Sequence, residues 1–210
     1  MPVKILIADD HAIVRDGLRM ILESQRDLDV VGEACDGREA IAQAELLKPD
    51  VILMDIAMPE LNGIEATRII CERISTSRVI ILSMHNSNEH VFRAIKAGAA
   101  AYILKESVGS SVVKAIRAVM KGTQFFGDGV EAPLENNSVL KSPIDSLSPR
   151  ELEVIQMVVE GKTSAEIAEI LSLSPKSIET YRSRLMVKLG VNNIPSLVKF
   201  ALLHHITPAE

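Results

Sequence analysis

The stretch VILMDIAMPELNGIE, residues 51–65, decides the fold. Its first four residues, Val51 to Met54, make the unbroken apolar run that a strand buried on both faces requires, and Asp55 ends the run. Pro59 and the Asn62-Gly63 pair then turn the chain. Asp55 is therefore predicted at the carboxyl end of a parallel strand, where open α/β sheets bind their ligands. A lone aspartate in this position is more often a helix cap or a turn residue. The acids elsewhere in the chain make this one a reactive-site candidate.

Working outward, residues 4–8 are an apolar strand ending in Asp9-Asp10, followed by Val14, Leu18, Ile21 and Leu22 at helical spacing. Residues 28–34 read as a second strand. Asp36-Gly37 then opens a helix with Ala40, Ile41, Ala44 and Leu47 on one face, closed by Lys48-Pro49. Beyond Gly63 comes another helix, and residues 78–84, rich in Val and Ile, form a fourth strand that ends near Ser83. A helix over residues 87–97 stops at Gly98, and residues 101–104 are a short fifth strand that delivers Lys105. Residues 110–121 make a last helix. Five alternating strand-helix units imply a doubly wound, flavodoxin-like α/β domain with a five-stranded parallel sheet over residues 1–122.

The totals agree with two modest domains. The chain has 210 residues, of which 47% are apolar, and no apolar run approaches the roughly 20 residues that span a bilayer. The acidic pair near the N-terminus comes too early for a signal peptide, so a cytoplasmic protein without membrane attachment is expected. Cys35 and Cys71 have neither C-x-x-C spacing nor a histidine cluster, so reduced thiols and no zinc site are expected. Net charge is −2 over residues 1–122, −3 over 123–148 and zero over 149–210. Residues 123–146 lose periodicity and read as a linker, with one short helix around residues 133–140.

Asp9 with Asp10, then Asp55, Ser83 and Lys105, stand at the carboxyl ends of four different predicted strands or just beyond them. Three converging carboxylates repel one another unless a cation joins them, which calls for a hard, oxygen-seeking ion such as Mg²⁺. A carboxylate nucleophile beside such an ion, a lysine and a hydroxyl suits phosphoryl transfer. His11 and His85 lie close in sequence to these positions but are not expected to touch the phosphoryl chemistry. The motifs IADD (7–10), KPDVILMDIAMPELNGIE (48–65), LSMH (82–85) and AGAAAYILKE (97–106) resemble, in this order, the response-regulator receiver family. The resemblance implies that Asp55 accepts a phosphoryl group from a sensor histidine kinase. It implies Mg²⁺ bound by Asp10, Asp55 and the backbone carbonyl of Ala57, with Asp9 nearby. Ser83 would bond the phosphoryl group, Lys105 would pair with it, and Tyr102 would switch rotamer with Ser83. Glu106 stands where many family members have proline, which leaves the isomer of the Lys105–Glu106 bond open.

Residues 147–210 read as four short helices. Ser148-Pro149-x-Glu151 opens the first, Ser164 is expected to cap the second, Ser174-Pro175 starts the third and residues 194–204 make the fourth. Ile167, Ala168, Leu171, Ile178, Leu185 and Leu189 suit two helices crossing at a tight turn, a helix-turn-helix. Small helical domains use such spacing simply to make a core. The cations Lys176, Arg182, Arg184 and Lys188 on the third helix favour DNA. LSPRE (147–151), EGKTSAEIA (160–168) and SPKSIETYRSRLMVKLGV (174–191) resemble the LuxR-type DNA-binding domain, and the two domains in this order resemble the NarL/FixJ response regulators. Tyr181 replaces a common histidine, and Pro195 is expected to interrupt the start of the last helix.

The chain is thus expected to be a phosphorylation-activated transcription regulator that binds double-stranded promoter DNA as a homodimer. On the third helix, Lys176, Glu179, Thr180 and Ser183 share a face suited to a groove. Glu179, Thr180 and Ser183 would meet base edges, and Lys176, Arg182, Arg184 and Lys188 would meet phosphates. The plainer alternative is that Glu179 pairs with a nearby cation and Thr180 only packs. A dehalogenase-type phosphohydrolase is disfavoured because its second aspartate would fall at Ala57, and a helical domain that binds protein is the third alternative.

Overall fold

Short apolar runs alternate with amphipathic stretches to give β1 (Val3–Ala8), α1 (Ala12–Glu23), β2 (Leu28–Ala34), α2 (Gly37–Leu47), β3 (Val51–Asp55), α3 (Gly63–Arg73), β4 (Arg78–Ser83), α4 (Asn88–Lys96), β5 (Ala101–Leu104) and α5 (Val108–Met120). The computed structural model describes residues 1–133, 143–204 and 206. It divides into two units, the first carrying the sheet and the second the later helices. With β6 (Phe125–Phe126) at its edge, the sheet is entirely parallel, in the order β2-β1-β3-β4-β5-β6. This sixth strand pairs with Ala101 and Tyr102 and lies inside the stretch expected to be linker. The short helix expected around residues 133–140 falls almost wholly outside the described residues.

Successive strand residues point to opposite faces, so each central strand feeds two cores. Ile5, Ile7, Leu53, Ile80, Leu82 and Ile103 pack with Leu18 and Leu22 of α1 and Val112, Ile116 and Val119 of α5. Leu6, Ile52, Met54, Val79 and Ile81 alternate with these and are equally buried. The strand order reverses between β1 and β3, and the crevice that opens there lies at their carboxyl ends. Among the described residues no peptide bond is cis, so Lys105–Glu106 is trans; it opens a 3-10 turn, Lys105–Ser107.

The turn after β3 is tight because α3 begins against β3 itself. Asn62 caps α3 by accepting from the Glu65 N–H, and the Gly63 N–H donates to the Ile56 carbonyl at 2.9 Å. A Cβ on Gly63 would stand 1.9 Å from the Asp55 carbonyl oxygen, a distance no side chain tolerates. Only glycine permits that approach.

In the second unit α6 (Pro149–Val159), α7 (Ser164–Ile170), α8 (Pro175–Leu189) and α9 (Ile194–Leu203) enclose Leu152, Ile155, Ile167, Leu171, Ile178, Leu185, Leu197 and Ala201. Ser148 and Glu151 form a capping box, with Pro149 in the first turn. The cap of α7 is Thr163 rather than the expected Ser164. Glu166, three residues after Thr163, returns a bond to the Thr163 N–H, whereas the residue three after Ser164 is the apolar Ile167. Pro195 does not interrupt α9. It sits in the first turn, where no N–H is needed, behind the cap Asn193.

Gly63→Ala is expected to destabilise the sheet unit by roughly 1–3 kcal/mol, because the new methyl group must push α3 off β3. A urea midpoint equal to that of the parent protein would show that this helix start is free to shift.

Candidate functional site

The strand register gathers the predicted acids. Ala8 pairs with Met54, so Asp9 lies beside Asp55; Asp55 pairs with Leu82, and Ser83 pairs with Leu104, so Ser83 and Lys105 complete the same rim. Asp9 is fully buried, Asp55 is 2% exposed and Ser83 is 2% exposed. Lys105 Nζ lies 2.7 Å from Asp9 Oδ2 and 2.9 Å from Asp55 Oδ2. Both contacts are ion pairs. Asp9 Oδ2, Asp10 Oδ1 and Asp55 Oδ2 are buried oxygens without a hydrogen-bond partner among the described residues.

Sequence reasoning set His11 aside, yet its Nδ1 stands 2.6 Å from Asp10 Oδ1, and its backbone N–H donates to Asp9 Oδ1. The signal was its place directly after the two acids. Ligand atoms of Asp9, Asp10, His11 and Asp55 lie within 4.8 Å of one another. Carboxylate oxygens gathered this closely are the donor set a hard cation takes, and the site is of the acidic type that holds Mg²⁺. Cys35, Asp36 and Glu39 form a second group of possible ligands, but Asp36 already caps α2 and the Cys35 thiol donates to Glu39.

Burial pushes Asp55 up to about 6; Lys105 pulls against this, and the charges of Asp9 and Asp10 add to it. Burial alone would lower Lys105, but Asp55 and Asp9 outweigh it and hold the ammonium above its ordinary value. Tyr102 is fully buried on β5, and burial raises its phenol to about 12. Its hydroxyl donates to the His85 carbonyl at 2.7 Å, while the His85 N–H donates to Ser83 Oγ at 3.0 Å. The backbone of His85 thus joins the two side chains expected to move together. Ala57 lies two residues beyond Asp55, half-buried in the turn before α3.

On α8, Ile178 and Leu185 enter the helical core and leave Lys176, Glu179, Thr180, Ser183, Arg184 and Lys188 exposed. The cations then divide. Lys188 Nζ donates to Glu151 Oε2 at 2.7 Å, and that carboxylate is buried and also accepts from the Ser148 N–H and hydroxyl. Burial would raise Glu151, but these donors keep it below the usual carboxylate range. Arg182 Nη1 donates to Ser164 Oγ at 2.8 Å and lies 3.7 Å from Glu179 Oε1, so the pairing of Glu179 with a nearby cation does occur. Thr180 Oγ1 donates to the Lys176 carbonyl. Lys176 and Arg184 make no ion pair with another described residue.

Because Asp55 holds its proton up to about pH 6 when folded but only to about 3.8 when unfolded, it favours the folded state at low pH. That contribution is lost as pH rises through 6. Without divalent cations, Asp55→Asn is therefore expected to raise unfolding free energy at about pH 7.5, by as much as about 3 kcal/mol, and to change it little at about pH 4. Urea titrations in a chelator at both pH values measure this; an equal gain at both would assign it to something other than the charge.

Two family models match: the response regulator receiver domain over residues 5–117, and the bacterial regulatory proteins of the luxR family over residues 145–201. The chain is 38% identical over 208 residues to the transcriptional regulatory protein LiaR of Bacillus subtilis, covering 97% of this chain and 99% of that one. It is 39% identical over 210 residues to the oxygen regulatory protein NreC of Staphylococcus aureus, covering 95% and 97%. Among solved structures, the RcsB response regulator of Salmonella typhimurium aligns with a TM-score of 0.59 at 31% identity over 96% of this chain and 98% of that chain. An RcsB–DNA complex aligns equally well. No described helix is long and apolar enough to cross a membrane. A receiver accepts a signal from a histidine kinase rather than turning over a substrate as a classical enzyme does, and the LuxR-type domain binds DNA. With both domains matched in order and relatives aligned nearly end to end, the chain belongs to the two-component response regulators of the NarL/FixJ subfamily, which bind DNA through a LuxR-type helix-turn-helix.

Proposed function

We propose that Asp55 is the phosphoryl acceptor and that its phosphorylation drives this chain onto promoter DNA as a homodimer. The observation behind this is the ion pair of Lys105 with Asp55 and Asp9 at the carboxyl ends of β3 and β1. In this reading an Asp55 carboxylate oxygen attacks the phosphorus of the kinase's phosphohistidine and displaces the imidazole nitrogen. Asp10, Asp55 and the Ala57 carbonyl hold Mg²⁺, with Asp9 nearby; when bound, the ion neutralises charge on the phosphoryl oxygens. Lys105 pairs with the phosphoryl group. The Ser83 hydroxyl, whose oxygen already accepts from the His85 N–H, donates to that group. Drawing Ser83 inward tugs the His85 backbone and so the Tyr102 hydroxyl bonded to it, which passes the added charge to the face of α4, β5 and α5.

On α8, Lys176 and Arg184 meet phosphates, and Glu179, Thr180 and Ser183 face base edges. Arg182 and Lys188, also basic, spend much of their charge on Ser164, Glu179 and Glu151. The domains in this reading are a receiver over residues 1–122, a linker over 123–146 and a DNA-binding domain over 147–210.

Acetyl phosphate with Mg²⁺ is expected to add one phosphoryl group to the parent protein and none to Asp55→Asn, by intact mass, and to raise the mass seen by light scattering toward a dimer. Full labelling of Asp55→Asn at another residue would sink the acceptor assignment. For the DNA face, Arg184→Ala is expected to weaken binding to all duplexes and to reduce the salt slope by about one unit. Lys188→Met is expected instead to lower stability by about 1–3 kcal/mol, since it leaves buried Glu151 without its ammonium. The reverse pattern would exchange their roles.

A further inference from the structure

Three side chains join the first turn of α7 to the exposed face of α8. Ser164, the first residue of α7, donates its hydroxyl hydrogen to Glu179 Oε1 and accepts from Arg182 Nη1 at 2.8 Å, with Arg182 Nη1 3.7 Å from the same carboxylate oxygen. A guanidinium has only donors and an ionised carboxylate only acceptors. The single hydroxyl proton of Ser164 therefore has one destination, and the polarity of the chain Arg182–Ser164–Glu179 is fixed.

Glu179 is 61% exposed, and a glutamate so placed ordinarily samples several rotamers. Here one of its oxygens is tied to a neighbouring helix. The tie fixes the side chain relative to both helices of the motif rather than to α8 alone. Oε1 is engaged, and Oε2 has no hydrogen-bond partner among the described residues. Arg182 offsets the carboxylate charge, which would otherwise be repelled by the phosphate backbone.

We infer that Ser164 is a positioning residue for base readout: it holds Glu179 so that its carboxylate accepts from the N4 amino group of one cytosine in the target. This rests on the proposed reading of the exposed face of α8 as the one that enters the groove. A fixed acceptor discriminates by what it excludes. Guanine and thymine present acceptors at the corresponding major-groove positions, and the amino group of adenine sits beside its N7 acceptor, whereas the cytosine amino group has no acceptor next to it on its own edge. A carboxylate free to swing away would lose that discrimination without losing the protein's grip on the backbone.

The test is binding-site selection from randomised duplexes at fixed salt with the full-length protein. It is followed by dissociation constants for the selected site and for the same site changed at one base pair. Ser164→Ala is expected to lower the preference for cytosine at one position about 5- to 10-fold. It should change affinity for the already altered site less than about twofold, and add nothing in a Glu179→Ala background, because both substitutions remove the same contact. Ser164→Thr, which keeps the hydroxyl, is expected to retain the preference. If Ser164→Ala weakens every duplex equally, or keeps full preference where Glu179→Ala loses it, Ser164 does not position the reader, and Glu179 stands as a reader without it. If Glu179→Ala selects the same sequence as the parent protein, the reader assignment falls, and the inference falls with it.

Discussion

One ammonium between two buried carboxylates sets the terms for the sheet unit. Lys105 reaches Asp9 and Asp55 from the end of β5, so the carboxyl ends of β1, β3 and β5 meet at a single charge. Burial pushes the Asp55 carboxyl toward its protonated form, and the Lys105 ammonium offsets that only in part. A parallel sheet supplies the frame, since its strands end together on one side and leave their last side chains beyond the hydrogen-bonded ladder.

The helical unit answers a similar problem with different means. Its four described α-helices, three of them short, leave a large share of backbone groups terminal, and each begins with a side-chain cap. Glu151 shows how closely such devices interlock. The carboxylate that completes the cap of α6 is buried, and the ammonium that neutralises it comes from the last turn of α8. The orientation of α8 against α6 is therefore fixed at its far end by charge and in its middle by Ile178 and Leu185.

Much of this was legible in the sequence because the signals were local and repeated. Five apolar runs, each followed by an amphipathic stretch, determine a doubly wound sheet, and the register then brings Asp9, Asp55, Ser83 and Lys105 together without further information. What escaped was either too short or too distant. Phe125–Phe126 is a strand of two residues, and two residues have no period. The partnership of Lys188 with Glu151 spans 37 positions, so a basic stripe on α8 could not reveal that one of its members faces a buried acid. The cap of α7 was within reach. Both Thr163 and Ser164 can cap, but only Thr163 has a glutamate three residues on, and that spacing decides between them.

The close seating of Gly63 on the Asp55 carbonyl has a mechanical consequence. On the α3 side β3 meets backbone, with the Gly63 N–H bonded to the Ile56 carbonyl and no room for even a methyl group. On the β4 side it meets the Ser83–His85–Tyr102 chain, whose links are single hydrogen bonds running to an exposed loop residue. One flank of Asp55 is closed by backbone and the other by side-chain hydrogen bonds. A bulky group carried on Asp55 would therefore meet backbone toward α3 and only side-chain links toward β4.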